Sequence, residues 1–261
     1  MYKAVFSDFD GTLLTSDHKI SPRTLAAIAR LAERGVPFVP ISARSPLGIL
    51  PYWKQLQTNN VLVAFSGALI LDHQLQPIYS VQIDAADMEK LNRVFKDFAH
   101  LAVNYYVNDD CFTNDLANPW VKLEAQITKI PIEAAQADKI YPAHKVQIIG
   151  EPHEIIHIEA LLKEKFPHLS ICRSHQSYLE VMNNAATKGN AVRFLEKYFG
   201  LKTEEVIAFG DNFNDLDMLE HAGLGVAMGN APEEIKQAAN RVTAGNNEDG
   251  LALILEEVFP A

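Results

Sequence analysis

The stretch Phe6-Ser7-Asp8-Phe9-Asp10-Gly11-Thr12-Leu13-Leu14 places two carboxylates one residue apart, between the apolar run Ala4-Val5-Phe6 and a glycine turn. Side chains at i and i+2 of a strand point to the same side, so Asp8 and Asp10 are expected to converge at the end of a buried strand. Two carboxylates in a dry cleft repel each other, and one takes up a proton unless a cation holds both. Mg²⁺ suits such a place, being a hard ion that takes carboxylate oxygens and leaves positions for water and a substrate phosphate. The spacing is not that of a calcium loop, which needs a run of ligands and a Glu twelve positions on. A plain surface turn fits poorly, because Phe6, Phe9, Leu13 and Leu14 interleave the acids.

Three further groups could join that chemistry. Ile41-Ser42-Ala43-Arg44 closes a second apolar run with a hydroxyl and exposed backbone N–H groups, which can hold phosphate oxygens at a strand-to-helix turn. Lys188, in Ala186-Thr187-Lys188-Gly189, opens a helix where the dipole disfavours a cation. That is odd for a structural lysine and natural for one facing an anion. Gly210-Asp211-Asn212-Phe213-Asn214-Asp215 follows the apolar run Val206–Phe209, and ligands bind beyond the carboxyl ends of such strands. Asn214 or Asp215 is also expected to cap the next helix. His153 and His157 stand four apart on a helix, without a third ligand, and read as an exposed face.

The elements that must position these groups alternate. Ser21-Pro22 reads as N-cap and first helical residue, Leu25, Ile28, Ala29 and Leu31 keep helical spacing, and Gly35 ends the helix. Val36–Ile41 and Val61–Phe65 are short strands apolar on both faces, as in a parallel sheet covered by helices, and Gly67–Tyr79 reads as a hairpin. From about Asp84 the character changes to strands with alternating polar residues and two crossing helices, a small sheet with one face open. Tyr105, Tyr106 and Tyr178 belong to its core. After about 183 the first pattern returns. Asn230-Ala231-Pro232-Glu233 starts a helix with a capping-box-like Asn and Glu, and a final helix runs from about Asp249.

The chain has 261 residues, 48 % of them hydrophobic, room enough for one large domain or two ordinary ones. Its 23 basic and 33 acidic residues give a net charge of −10, which argues against nucleic acid and anionic membrane as partners. It does not argue against a small anionic substrate, since a local metal and a few cations can dominate one cleft. Cys111 and Cys172 lack the spacing of a disulfide framework or a metal site and read as buried or half-buried thiols. No leader-like segment precedes the first strand and no apolar run approaches membrane length, so a cytoplasmic protein is expected.

Asp8-Phe9-Asp10-Gly11-Thr12-Leu13 resembles the first motif of the haloacid-dehalogenase-like hydrolases, and the other three groups match that family's remaining motifs in order. With about 100 residues between the second and third motifs, the whole chain resembles the Cof-type phosphatases, which carry a type IIB α/β cap. The loop Asn246-Asn247-Glu248-Asp249-Gly250 is also frequent in them. The resemblance implies a Rossmann-like parallel sheet core with helices on both faces (1–83 and 184–261) and an inserted α/β cap domain (84–183). It implies Asp8 as nucleophile and Asp10 as general acid and base. Mg²⁺ would be held by Asp8, Asp10 and Asp211, and Phe9, Ser42, Ala43, Lys188 and Asn214 would surround the phosphate, supported by Arg44 and Asp215. Relatives usually have Thr-Gly-Arg where Ser42-Ala43-Arg44 stands, and many have Asn where Ser66 stands. The implied activity is hydrolysis of small phosphomonoesters, a sugar phosphate or a cofactor phosphate, through an aspartyl-phosphate. A sugar phosphomutase using the same nucleophile and a non-catalytic phosphate-binding regulator are the alternatives. Nothing in the sequence decides the oligomeric state.

Overall fold

In a computed structural model, residues 1–56, 61–136 and 139–260 are described. In chain order the elements begin with β1 (Ala4–Asp8), α1 (Pro22–Glu33), β2 (Phe38–Ile41), α2 (Pro46–Leu56), β3 (Leu62–Ala64), β4 (Leu69–Leu71) and β5 (Pro77–Ser80). There follow α3 (Ala85–Asp97), β6 (Ala102–Val107), β7 (Asp110–Thr113), α4 (Pro119–Thr128), β8 (Glu133–Ala134), β9 (Lys145–Ile149), α5 (Pro152–Lys165), β10 (Leu169–His175) and β11 (Tyr178–Asn183). The chain ends with α6 (Lys188–Phe199), β12 (Val206–Gly210), α7 (Leu216–His221), β13 (Leu224–Ala227), α8 (Glu233–Ala238), β14 (Arg241–Val242) and α9 (Gly250–Val258). The described residues divide into two compact units. The first holds residues 1–44, 49–78 and 187–261, and the second holds 45–48 and 79–186.

The first sheet has the order β14-β13-β12-β1-β2-β3-β4-β5. The pairings from β14 through to β3 are parallel, and β3 pairs antiparallel with β4. β1 is its centre, with Ala4–Ser7 in register with Val206–Phe209 on one side and Val5–Asp8 with Phe38–Ile41 on the other. Every residue of β1 and β12 is buried, the signature of strands covered by helices on both faces. Ser21 caps α1 by accepting the Thr24 N–H, Pro22 takes the first turn, and Gly35 turns the chain away at φ +69°. β2 begins at Phe38, two residues later than the apolar run suggests, because the Val36 N–H closes the end of α1 on the Leu31 carbonyl. α8 is a second departure. Pro232 precedes it without a side-chain cap, and Asn230 is used elsewhere.

The second unit contains a sheet of order β10-β11-β9-β6-β7-β8, antiparallel except between β7 and β8. One face packs against α3 and α5 through Met88, Leu91, Val103, Tyr105, Ile148, Ile155, Ile158 and Leu179. The other face is polar but is not the open face the alternation suggests. Asn104, Gln147 and Glu180 are all buried there, and α4 lies across it. Val121 packs on Ala102 and Ile149, and Glu124 takes hydrogen bonds from Tyr106 Oη and Gln147 Nε2. Lys145 pairs with Glu180 at 3.1 Å beside them. His153 and His157 both lie on α5, where the His157 ring packs near Phe98. Cys111 is buried, whereas Cys172 is exposed rather than half-buried.

His144, fully buried in this unit, makes stability depend on pH. Its Nδ1 accepts the Asn108 N–H at 3.1 Å and its Nε2 meets Ser80 Oγ at 3.0 Å, an arrangement that suits the neutral ring with its proton on Nε2. Burial lowers its pKa to about 4. An unfolded histidine takes up its proton near pH 6.5, so the unfolded state binds more protons between about pH 6.5 and 4. Stability is therefore full above that window and falls as pH drops through it, by at most about 3 kcal/mol. The urea midpoint of the native protein should fall between pH 7 and pH 5 by clearly more than that of a His144→Gln variant. Equal falls in both would show that another group carries the effect.

Candidate active site

β1 ends at Asp8, so the period-two argument does not extend to Asp10. The two carboxylates part company. Asp8 is buried and is held by Lys188 Nζ, which also reaches Asp215 Oδ1 at 2.5 Å. Asp10 is partly exposed and accepts a two-pronged pair from Arg44, Nε to Oδ2 at 2.8 Å and Nη2 to Oδ1 at 2.5 Å. Arg44 itself lies over the rings of Phe9 (5.4 Å) and Tyr52 (5.6 Å), which pack edge to face. Phe9 is thus a buried wall under the guanidinium.

Lys188 is the first residue of α6, whose N-cap Thr187 accepts the Asn190 N–H. It is 1 % exposed, so it is no solvated lysine. Asp215 is fully buried and uses its other oxygen, Oδ2, to accept the backbone N–H groups of Asp211 (2.9 Å) and Asn212 (3.0 Å). Asp215 therefore ties the loop after β12 to Lys188. The short turn after that strand is capped by Asn212, and Asp215 stands at the N-cap position of α7 without giving that helix a side-chain hydrogen bond. Glycine is required at 210, because a Cβ there would stand 2.5 Å from that of Asp215.

Asp211 is gripped from three sides. Thr12 Oγ1 donates to its Oδ1 at 3.0 Å, Asn230 Nδ2 reaches its Oδ2 at 3.3 Å, and Gly11 lies against it. Gly11 has φ +86°, and a Cβ at that position would stand 2.4 Å from Asp211 Oδ2. Asn230 also donates to the Gly11 carbonyl at 2.9 Å, locking the turn after Asp10 to the loop after β13. In the sequence Asn230 stands only as a helix cap and Thr12 carries no role of its own. The signal for Asn230 was its place just beyond the carboxyl end of β13, next to β12 in the sheet.

Ser42 is buried at the end of β2, where its hydroxyl oxygen accepts the Arg44 N–H at 3.1 Å and keeps its own hydrogen available to an anion. Its carbonyl accepts the Ser66 N–H. Ser66 holds φ +52°, a conformation Asn adopts more readily than Ser, which gives a physical reason for the Asn frequent at this place. Ala43 lies between Ser42 and Arg44, half-buried. Asn214 is exposed in the turn 213–215 and its side chain makes no hydrogen bond with the described residues.

One oxygen each of Asp8, Asp211 and Asp215 lie within 4.8 Å of one another, the one such carboxylate, histidine or cysteine group among the described residues. The Asp10 carboxylate is not in that group. Burial pushes the Asp8 carboxyl up, and neighbouring Asp215 and Asp211 add to this against the pull of Lys188. Asp211 is pushed up by burial as well. Burial opposes the charge on Lys188, but Asp215 and Asp8 outweigh it and keep the ammonium protonated. Three acidic oxygens face one lysine, which is the electrostatic signature of a place short of one positive charge.

The sequence pattern of the haloacid dehalogenase-like hydrolases matches residues 5–255, and the chain belongs to that family. A Haemophilus influenzae protein named "Putative phosphatase" is 70% identical over 260 residues, covering 100% of this chain and 99% of its own. The 5-amino-6-(5-phospho-D-ribitylamino)uracil phosphatase YitU of Bacillus subtilis is 30% identical, covering 97% of this chain and 96% of its own. The crystal structure of a haloacid dehalogenase-like hydrolase from Bacteroides thetaiotaomicron superposes with a TM-score of 0.90 at 31% identity, over 99% of this chain and 100% of that one. The chain is an enzyme, a phosphatase of this family. No helix among the described residues is long and apolar enough to cross a membrane.

Proposed function

We propose that the enzyme is a Mg²⁺-dependent phosphomonoesterase that passes the phosphoryl group of a small phosphorylated metabolite to Asp8 and then to water. The observation that carries this reading is the buried Lys188, bridging Asp8 and Asp215, with Asp211 gathered at the same point. The donor set fits the ion: hard carboxylate oxygens, brought close enough to repel, on a turn whose Gly11 leaves room for Asp211. Mg²⁺ would be held by Asp8, Asp211 and the main-chain carbonyl of Asp10, and would offset the negative charge that carboxylates and phosphate bring together.

The residues then have distinct tasks. A carboxylate oxygen of Asp8 attacks phosphorus in line, the bond to the leaving oxygen breaks, and Asp10 gives that oxygen its proton. Asp10, now a carboxylate, takes a proton from the water that attacks the aspartyl-phosphate, which releases phosphate and restores Asp8. Lys188 and the hydroxyl of Ser42 stabilise the charge spread over the transferring group, and Asn214 and the backbone at Phe9 and Ala43 position it. Asp10 needs its proton and its freedom for the first step, so the two-pronged grip of Arg44 must open before it acts. By the family resemblance, residues 84–183 form the cap that selects the substrate, and the relative YitU supports a small phosphorylated compound as that substrate. The protein is read as cytoplasmic.

Phosphate release from a panel of phosphomonoesters, with Mg²⁺ and with EDTA, tests the reading. Turnover that drops at least about a hundred-fold on chelation is expected, since the metal supplies several kcal/mol of transition-state stabilisation. Release unaffected by EDTA would remove the metal from the mechanism. Transfer of the phosphoryl group to a second hydroxyl of the substrate, in place of water, would make the enzyme a mutase.

A further inference from the structure

The loop Asn246-Asn247-Glu248-Asp249, between β14 and α9, takes no part in the chemistry proposed for the site, yet three of its side chains reach the segment that follows Asp10. Asn246 Nδ2 donates to the Leu14 carbonyl at 2.8 Å. Asn247 grips Ser16 twice: its Oδ1 accepts the Ser16 N–H at 2.9 Å, and its Nδ2 donates to Ser16 Oγ at 2.8 Å. Asp249 Oδ1 accepts the Ser21 hydroxyl at 2.5 Å. These partners stand 228 to 232 residues apart in the chain.

Leu14 closes the turn that contains Asp10. Its N–H bonds the Phe9 carbonyl at 2.9 Å, and it forms a backbone bridge with Asp10. Asn246 takes up the carbonyl of the same residue, so both backbone groups of Leu14 are held. The Asn246 N–H also donates to Asn230 Oδ1 at 3.0 Å, and that amide is the one that grips Gly11 and Asp211. Residues 16–19 are exposed, so packing does not hold the tip of the segment. The tip nevertheless brings His18, at φ +55°, to within 3.8 Å of Asp10 Oδ1. The loop that does the holding is built stiffly. Asp249 has φ +58°, Glu248 Oε2 accepts the Gly245 N–H at 3.1 Å, and a Cβ at Gly250 would stand 2.0 Å from the Ala244 carbonyl oxygen. Left-handed backbone at a residue with a side chain is costly and persists only where its surroundings demand it.

We propose that Asn246 and Asn247 are positioning residues of the phosphoryl transfer, which fix the turn after β1 and with it the place of Asp10. This rests on the reading of Asp10 as acid and base. A small misplacement of a catalytic group costs far more in rate than exposed hydrogen bonds cost in stability. The Asn246→Ala/Asn247→Ala variant should therefore stay folded and release phosphate with kcat at least about ten-fold lower and KM within about three-fold of wild type. Its amide hydrogens over residues 10–21 should exchange at least about ten-fold faster, with those of β12 unchanged. Asn247→Asp keeps an acceptor for both the N–H and the hydroxyl of Ser16, and should hold kcat within about three-fold of wild type where Asn247→Ala loses more. The proposal is overturned by wild-type kcat in the folded double variant, by unchanged exchange over residues 10–21, or by an Asn247→Asp protein as slow as Asn247→Ala. If the double variant does not fold, the Asn247→Ala and Asn247→Asp pair decides alone, since Asn247 is exposed. A wild type that releases no phosphate with Mg²⁺ overturns the reading of Asp10 itself, and the proposal with it.

Discussion

Asp8→Asn is expected to lower phosphate release by at least about four orders of magnitude while the protein stays folded. The amide has the size of the carboxylate and can still face Lys188, but it cannot attack phosphorus or leave again as an anion. The fold should not suffer, because Asp8 is a buried carboxyl whose ionisation already costs energy beside Asp211 and Asp215. Removing one of three clustered negative charges leaves Lys188 paired with Asp215 alone. The unfolding midpoint without metal should therefore equal or exceed that of the wild type. Phosphate release on the best substrate from the panel, read next to a thermal unfolding curve, checks both halves. Activity retained in a folded Asp8→Asn protein would reject Asp8 as the nucleophile.

Lys188→Met should act in the opposite sense on stability. Methionine fills much of the same buried space but leaves Asp8 and Asp215 facing each other without a cation, both nearly or fully buried. Breaking a buried pair on one side costs about 3–5 kcal/mol, because the remaining charge is stranded. The sign of the pH dependence follows. A carboxyl that burial holds above its ordinary pKa, as Asp8 is held, keeps a proton in the folded state that the unfolded chain has already lost, so stability falls as pH rises. The variant should accordingly gain urea resistance between pH 7.5 and pH 5.5, relative to wild type, and Mg²⁺ should restore part of the loss at pH 7.5. Turnover should fall by about two to three orders of magnitude, the usual cost of one electrostatic contact to a transition state. A variant as stable as wild type at pH 7.5 would mean that the three carboxylates do not share one buried space.

The alternation of strand and helix around β1 was readable because Ala4–Phe6 and Val206–Phe209 are apolar on both faces and are followed by turn residues. The end of α1 was readable from Gly35 for the same local reason. Departures came where a side chain serves a distant partner. Asn230 looks like a helix cap in its own neighbourhood, yet it spends its amide on Gly11 and Asp211, and no local pattern announces a partner 219 residues away. Asn212 caps the turn after β12, whereas Asp215 stands at the N-cap position of α7 but its side chain is drawn inward to Lys188 instead of capping. The side chains of Asp8 and Asp10 were expected to converge because strand geometry was extended two residues too far. The chain leaves the strand at Asp8 and Arg44 then captures Asp10. The polar face of the second sheet was legible as polar but not as covered, because nothing in the strands reveals that α4 returns across them.

The centrality of β1 has a consequence for how the protein is made. β1 has one neighbour, β2, within the next few dozen residues, but its other neighbour, β12, begins only at Val206. Until the ribosome has passed that point, β1 is an edge, apolar on both faces, with unpaired backbone groups along one side. Closing it requires a contact of very long sequence separation, which is slow relative to local pairing. Nascent chains stalled before β12 should thus be the species that chaperones hold and that aggregate when they are not held.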